Sequence, residues 1–62
     1  MKMKTCDICK KPNLKAYFDA KTTSGPWANM CLTCFRWNGI GLGVGRGQRY
    51  RWNGQGYDKI GG

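Results

Sequence analysis

At 62 residues the chain is one small domain, which buries only about 60% of its unfolded surface and needs a staple to hold its core. It has no histidine and no glutamate, and Asp7, Asp19 and Asp58 are its only acids, so paired carboxylates, Ser–His and Cys–His dyads and an open histidine-ligated zinc are poorly supplied and no enzyme is expected. The formal net charge of +8 points to a polyanion or an acidic protein face as partner, and no apolar stretch approaches a membrane span.

The chain starts Met1-Lys2-Met3-Lys4-Thr5, without the apolar core of a signal peptide, so a cytoplasmic location is expected. Cys6-Asp7-Ile8-Cys9 follows, and the same spacing returns at Cys31-Leu32-Thr33-Cys34. These are the only cysteines. A two-residue gap lets one tight turn aim both sulfurs at one ion, and two such turns complete a tetrahedral thiolate site. One structural Zn²⁺ on Cys6, Cys9, Cys31 and Cys34 is the expected cofactor. Zinc binding in small fingers is worth on the order of 10–16 kcal/mol, comparable to a whole domain's stability. It would lower the net charge to about +6, since four protons leave and two charges arrive.

Other chemistry uses the same residues. Two disulfides would suit a secreted mini-protein, but the start of the chain carries no export signal. A redox pair needs a βαβ context that does not fit this length. A rubredoxin-like iron site needs two knuckles; glycine is missing after both pairs and the charge is strongly positive, although thiolates alone do not exclude iron.

The first pair reads as a zinc knuckle. Lys10 stands where such turns often place glycine, which would cost up to about 1 kcal/mol if φ there is positive. Lys11-Pro12-Asn13 reads as a turn. Residues 14–21 suggest a strand, residues 22–26 a loop broken at Gly25-Pro26, and residues 27–30 a short return strand. Trp27 is expected in the core, over the metal site or against Tyr17 or Phe18, in preference to an exposed stacking platform. The second pair runs on into Phe35-Arg36-Trp37-Asn38-Gly39. A helix opening at the pair fits, because its positive end would face the thiolates, and Asn38-Gly39 is a stop signal. Knuckle, hairpin and helix in this order make a small metal-stabilised α+β, treble-clef-like zinc finger.

Beyond Asn38 the composition changes, with every glycine except Gly25 lying from Gly39 onward. Strict alternation over residues 39–47 predicts an extended edge strand with Ile40, Leu42, Val44 and Arg46 on one face. Three apolar residues on one face ask for burial, which favours packing over a phosphate-binding backbone. Neither a Walker loop nor a dinucleotide fingerprint is present. Gln48-Arg49-Tyr50-Arg51-Trp52-Asn53 interleaves cations and rings, with Arg49 and Arg51 on one side and Tyr50 and Trp52 on the other. The finger domain is therefore expected over residues 1–52, including the glycine-rich strand, and a flexible tail over 53–62.

Cys6-x-x-Cys9, Phe18-Asp19, Gly25-Pro26-Trp27-Ala28, Met30-Cys31-x-x-Cys34 and the run from Gly41 to Tyr50 together resemble small phage-encoded four-cysteine zinc-finger proteins. The resemblance covers most of residues 6–50. It implies a zinc site and a setting in the host cytoplasm, without an activity.

Two classes of function follow. The first is a small regulatory nucleic-acid-binding finger, favouring single strands or RNA. It would use Arg36, Arg46, Arg49, Tyr50, Arg51 and Trp52, with Lys10 and Lys11 near the first pair. The second is a module docking on a host or phage protein through Trp37, Tyr50 and Trp52 as anchors. Fold alone does not separate them.

Overall fold

The computed structural model describes residues 2–62. Its elements are β1 (Ala16–Lys21), β2 (Trp27–Met30), α1 (Leu32–Asn38), β3 (Gly47–Trp52) and β4 (Tyr57–Gly61). The strands form one antiparallel sheet in the order β2-β1-β3-β4, with the short helix packed on the β1–β2 half. The fold is thus a small α+β arrangement. The hairpin forms because Thr22 and Gly25 close its loop. The Thr22 N–H and hydroxyl both donate to the Pro26 carbonyl, at 2.9 and 2.7 Å, and Gly25 takes φ +113°.

Strand parity sorts β1 between two environments. Phe18 and Ala20 face the helix, where Phe18 stacks on Phe35 with centroids 4.1 Å apart. Tyr17 faces the other way, stacked on Tyr50 at 5.1 Å and edge-on to Tyr57 at 4.6 Å. Both Tyr17 and Phe18 are buried, since β1 lies inside the sheet and is packed on both faces. Met30, opposite Phe18 on β2, completes the core beside Cys6, Cys31 and Cys34.

The helix starts and stops where the sequence places it. Cys31 is its N-cap, and the Gly39 N–H closes its end on the Phe35 carbonyl at 2.8 Å. Gly39 is required there by space: a Cβ would meet the Phe35 ring at 2.5 Å.

Three expectations are corrected. The strand expected over residues 39–47 does not form before Gly47, where β3 begins. Gly41, Gly43 and Gly45 take φ of +127°, +128° and +76°, so the alternating glycines curl the chain where alternating side chains would have extended it. Gly43 and Gly47 exchange N–H···O=C bonds of 2.8 and 3.0 Å, closing a loop that feeds β3. Of the apolar residues expected on one buried face, only Leu42 packs against the core, while Val44 is 96% exposed.

Trp27 is not a core residue. It opens the edge strand β2, opposite Lys21, and is 46% exposed. The expected flexible tail is also corrected, because residues 57–61 form β4. Asn53 makes the turn that returns it, its side-chain oxygen accepting from the Gln55 and Gly56 N–H groups at 2.8 Å each. Tyr57 then anchors the strand. Its ring meets Trp52 and Tyr17, and its hydroxyl donates to the Leu14 carbonyl at 2.6 Å and accepts from the Lys4 N–H at 2.9 Å.

Candidate metal centre

The first cysteine pair is presented by a tight turn. Cys6 N–H donates to the Lys11 carbonyl at 2.9 Å, Lys10 N–H donates to the Cys6 carbonyl at 3.0 Å, and Cys9 N–H points at the Cys6 sulfur at 3.5 Å. Lys10 takes φ +67°, the left-handed conformation that glycine supplies elsewhere. The second pair sits at the helix start, Cys31 as cap and Cys34 in the first turn. What joins the two pairs is Asp7, which bonds the backbone of Asn29 two residues before Cys31.

The four sulfurs lie within 4.8 Å of one another, and all four cysteines are free thiols. Zinc–sulfur bonds of about 2.3 Å in a regular tetrahedron require sulfur–sulfur edges of about 3.8 Å. The Cys9–Cys31 edge is 3.8 Å. Four soft sulfur donors gathered this closely could bind a metal ion. Cys6, Cys31 and Cys34 are buried and Cys9 is exposed, so one corner faces solvent.

The thiols themselves are electrostatically unequal. Burial pushes Cys6 upward, but the N–H groups of Cys31, Cys9 and Ile8 together outweigh it and hold the thiol down at about 6. These are the groups that would stabilise a ligating thiolate. Burial pushes Cys34 up to about 12, with the neighbouring Cys31, Cys6 and Cys9 sulfurs adding to it. An ion must displace the Cys34 proton before that sulfur can ligate.

The remaining candidates are spread over the molecule. Lys10 and Lys11 are exposed beside the knuckle, and Arg36 is exposed in the last turn of α1. The Arg46 guanidinium lies against Gly43. On β3, Arg49 and Arg51 are exposed on the helix side, while Tyr50 and Trp52 are half-buried on the opposite side. The Arg49 guanidinium sits 5.6 Å from the Phe18 ring centroid. Since β3 is flanked by β1 and β4, one ligand strand cannot reach its arginines and its rings together.

Sequence reasoning missed three residues. Asp7 was legible only as an acid inside the knuckle. Tyr57 and Lys59 lay in the segment read as a tail, yet Lys59 stands directly across from Tyr50 and shares its face. Lys59 thus supplies, beside the rings, the positive charge that the arginines carry to the other side.

The chain matches no family model, no curated protein and no solved structure. Fold and site define a small α+β protein with four clustered cysteines able to hold a metal ion. No helix among the described residues is long and apolar enough to cross a membrane.

Proposed function

We propose that the chain is a zinc-stabilised, treble-clef-like module without catalytic activity that binds single-stranded nucleic acid or RNA through the ring-bearing face of its sheet. The observation that carries this reading is the row Tyr17–Tyr50–Lys59, with Trp52 and Tyr57 in the next row. The half-buried rings of Tyr50, Trp52 and Tyr57, backed by the buried Tyr17, offer surface to unstacked bases, and a lysine beside them offers a charge to phosphate. Asp19 is the one acid on that face of β1 and is outnumbered by Lys21 and Lys59, so the face stays positive. Arg49 and Arg51 add to the long-range attraction from the other side. The resemblance to phage four-cysteine proteins makes the host cytoplasm the setting of this proposal, and regulation through binding is the role proposed for it.

The test is titration of zinc-loaded protein with a labelled mixed-sequence oligonucleotide at several salt concentrations. Lys59→Gln should make the log–log salt slope shallower by about 0.7, the loss of one phosphate contact on a single strand. Tyr50→Leu should weaken binding by on the order of 1–3 kcal/mol with little change in slope, because stacking releases no counterions. Binding that ignores both variants and disappears in Arg49→Gln would sink the ring-face reading.

A second reading is favoured by a separate observation. Trp37 is 82% exposed on α1 and Val44 is 96% exposed on the glycine-rich loop. Large apolar side chains held in water suit anchors for a protein partner with an acidic rim. Partner recovery from host lysate that survives nuclease and fails with Trp37→Ala would favour this reading.

A further inference from the structure

A cleft of about 380 Å³ opens between the start of β1 and the first turn of α1. None of Tyr50, Trp52, Tyr57 and Lys59 lines it, and it abuts the end of β1 where the Lys15 carbonyl accepts from the Trp52 N–H at 2.7 Å. Leu14, Ala16 and Leu32 provide apolar walls, and Lys11, Lys15 and Asn13 provide polar groups. Leu14 is only 4% exposed, so its side chain is a fixed part of the core. No acid lines the cleft, and Arg51 stands opposite Ala16 on the same face of the sheet.

We propose that this cleft binds a phosphomonoester carried on a flat apolar body, as in a mononucleotide or the phosphorylated end of a nucleic-acid strand. The volume falls within the range of about 300–1,000 Å³ for small-molecule sites. The two lysines are point charges suited to a dianionic phosphate. The Leu14 and Leu32 side chains suit a flat ring, and the Asn13 amide carries both a donor and an acceptor for the edge of a base. Cys31 forms part of the wall, so the metal centre holds one side of the cleft in place. The proposal does not depend on the ring-face reading, since the cleft shares no lining residue with that face's Tyr50, Trp52, Tyr57 and Lys59.

The experiment is an NMR titration of zinc-loaded protein with adenosine 5′-monophosphate, with adenosine as the phosphate-free control. The nucleotide should shift the amide resonances of Lys15, Ala16 and Leu32, and adenosine should bind about tenfold more weakly or worse. The double variant Lys11→Gln/Lys15→Gln, checked for full zinc content, should lose about tenfold in affinity. Both lysines are exposed, so the fold should survive. Leu32→Ala should weaken the nucleotide without changing the response to salt. A short oligonucleotide with and without a 5′-phosphate separates the sources. Preference for the phosphorylated strand identifies a strand end as the ligand, and nucleotide binding without that preference identifies a free nucleotide. Equal affinity for nucleotide and adenosine overturns the proposal. So do unchanged affinity in the double variant and shifts spread evenly over all the lysines.

Discussion

Asp7 and Asn29 hold each other through two hydrogen bonds of 2.8 Å, Asp7 N–H to the Asn29 carbonyl and Asn29 N–H to the Asp7 carboxylate. One pair thus clamps the turn bearing Cys6 and Cys9 to the strand that leads into Cys31. The ends of a long loop are brought together there, so the clamp offsets part of the entropy cost of closing the metal site.

Asp7→Ala should therefore loosen the site without removing a ligand. Losing an exposed, charge-assisted bond costs about 1 kcal/mol, which corresponds to release of zinc to a chelator roughly fivefold faster. Asp7→Asn, which keeps an acceptor, should fall between. Release rates identical in all three proteins would show that Asp7 has no part in holding the centre.

Zinc content should be near one per chain, and Cys31→Ser should lose both the ion and the tertiary signal. The pH dependence follows from two thiols. Cys6, lowered from 9.0 to about 6, contributes stability that is complete above pH 9 and lost as pH falls through 6. Cys34, raised from 9.0 to about 12, contributes stability that is complete below pH 9 and lost as pH rises through 12. Zinc requires Cys34 as thiolate, so the ion competes with that proton throughout the range below 12. The stability gap between zinc-loaded and chelated protein should widen by about 1.4 kcal/mol per pH unit from Cys34 alone. Tyr17, whose hydroxyl is pushed up first by burial and then by Tyr50, affects both forms alike. Urea midpoints at about pH 8 and pH 10 measure the gap, and a constant gap would contradict this account.

Lys10→Gly should stabilise the zinc-loaded protein by about 0.5–1 kcal/mol, because the φ of +67° no longer costs a side chain anything. Lys10→Ala controls for the lost charge and should not stabilise. Equal urea midpoints for the glycine and alanine variants would mean that the turn relaxes around any residue.

Tyr57→Phe removes the one hydroxyl shared by the Lys4 N–H and the Leu14 carbonyl. The expected loss is about 1–2 kcal/mol, with faster amide exchange at Lys4. Truncation after Asn53 should cost more, since it also uncovers the rings of Tyr17 and Trp52. A truncated chain as stable as the whole would return residues 57–61 to the status of a tail.

The parts of this molecule that were legible in the sequence are those fixed by local chemistry. Cysteine spacing located the clustered thiols, Gly25-Pro26 located the hairpin loop, and Asn38-Gly39 ended the helix. Parity along β3 correctly separated Arg49 and Arg51 from Tyr50 and Trp52. What failed depends on distant contacts or on glycine's double nature. Tyr57 makes β4 by reaching back 43 residues to Leu14, a contact that no local pattern announces. The residues of the glycine-rich loop alternate as a strand would, yet positive φ at alternate positions turns the chain. Trp27 is exposed because it stands opposite Lys21 on the face of the sheet away from the helix, whereas Met30 on the same strand turns inward opposite Phe18.

The connection from α1 to β3 also has a consequence for how the molecule can come apart. All four thiols precede β3 and β4 in the chain, so the metal-binding half and the second half of the sheet are separate stretches of sequence. Whenever β3 is detached, β1 becomes an uncovered edge, because its place beside β3 is not filled. Tyr57 reaches back to Lys4 and Leu14, beside the start of β1. A late stretch of the sequence thus fastens an early one, and a cut between α1 and β3 would leave the metal-binding half with its central strand open to other chains.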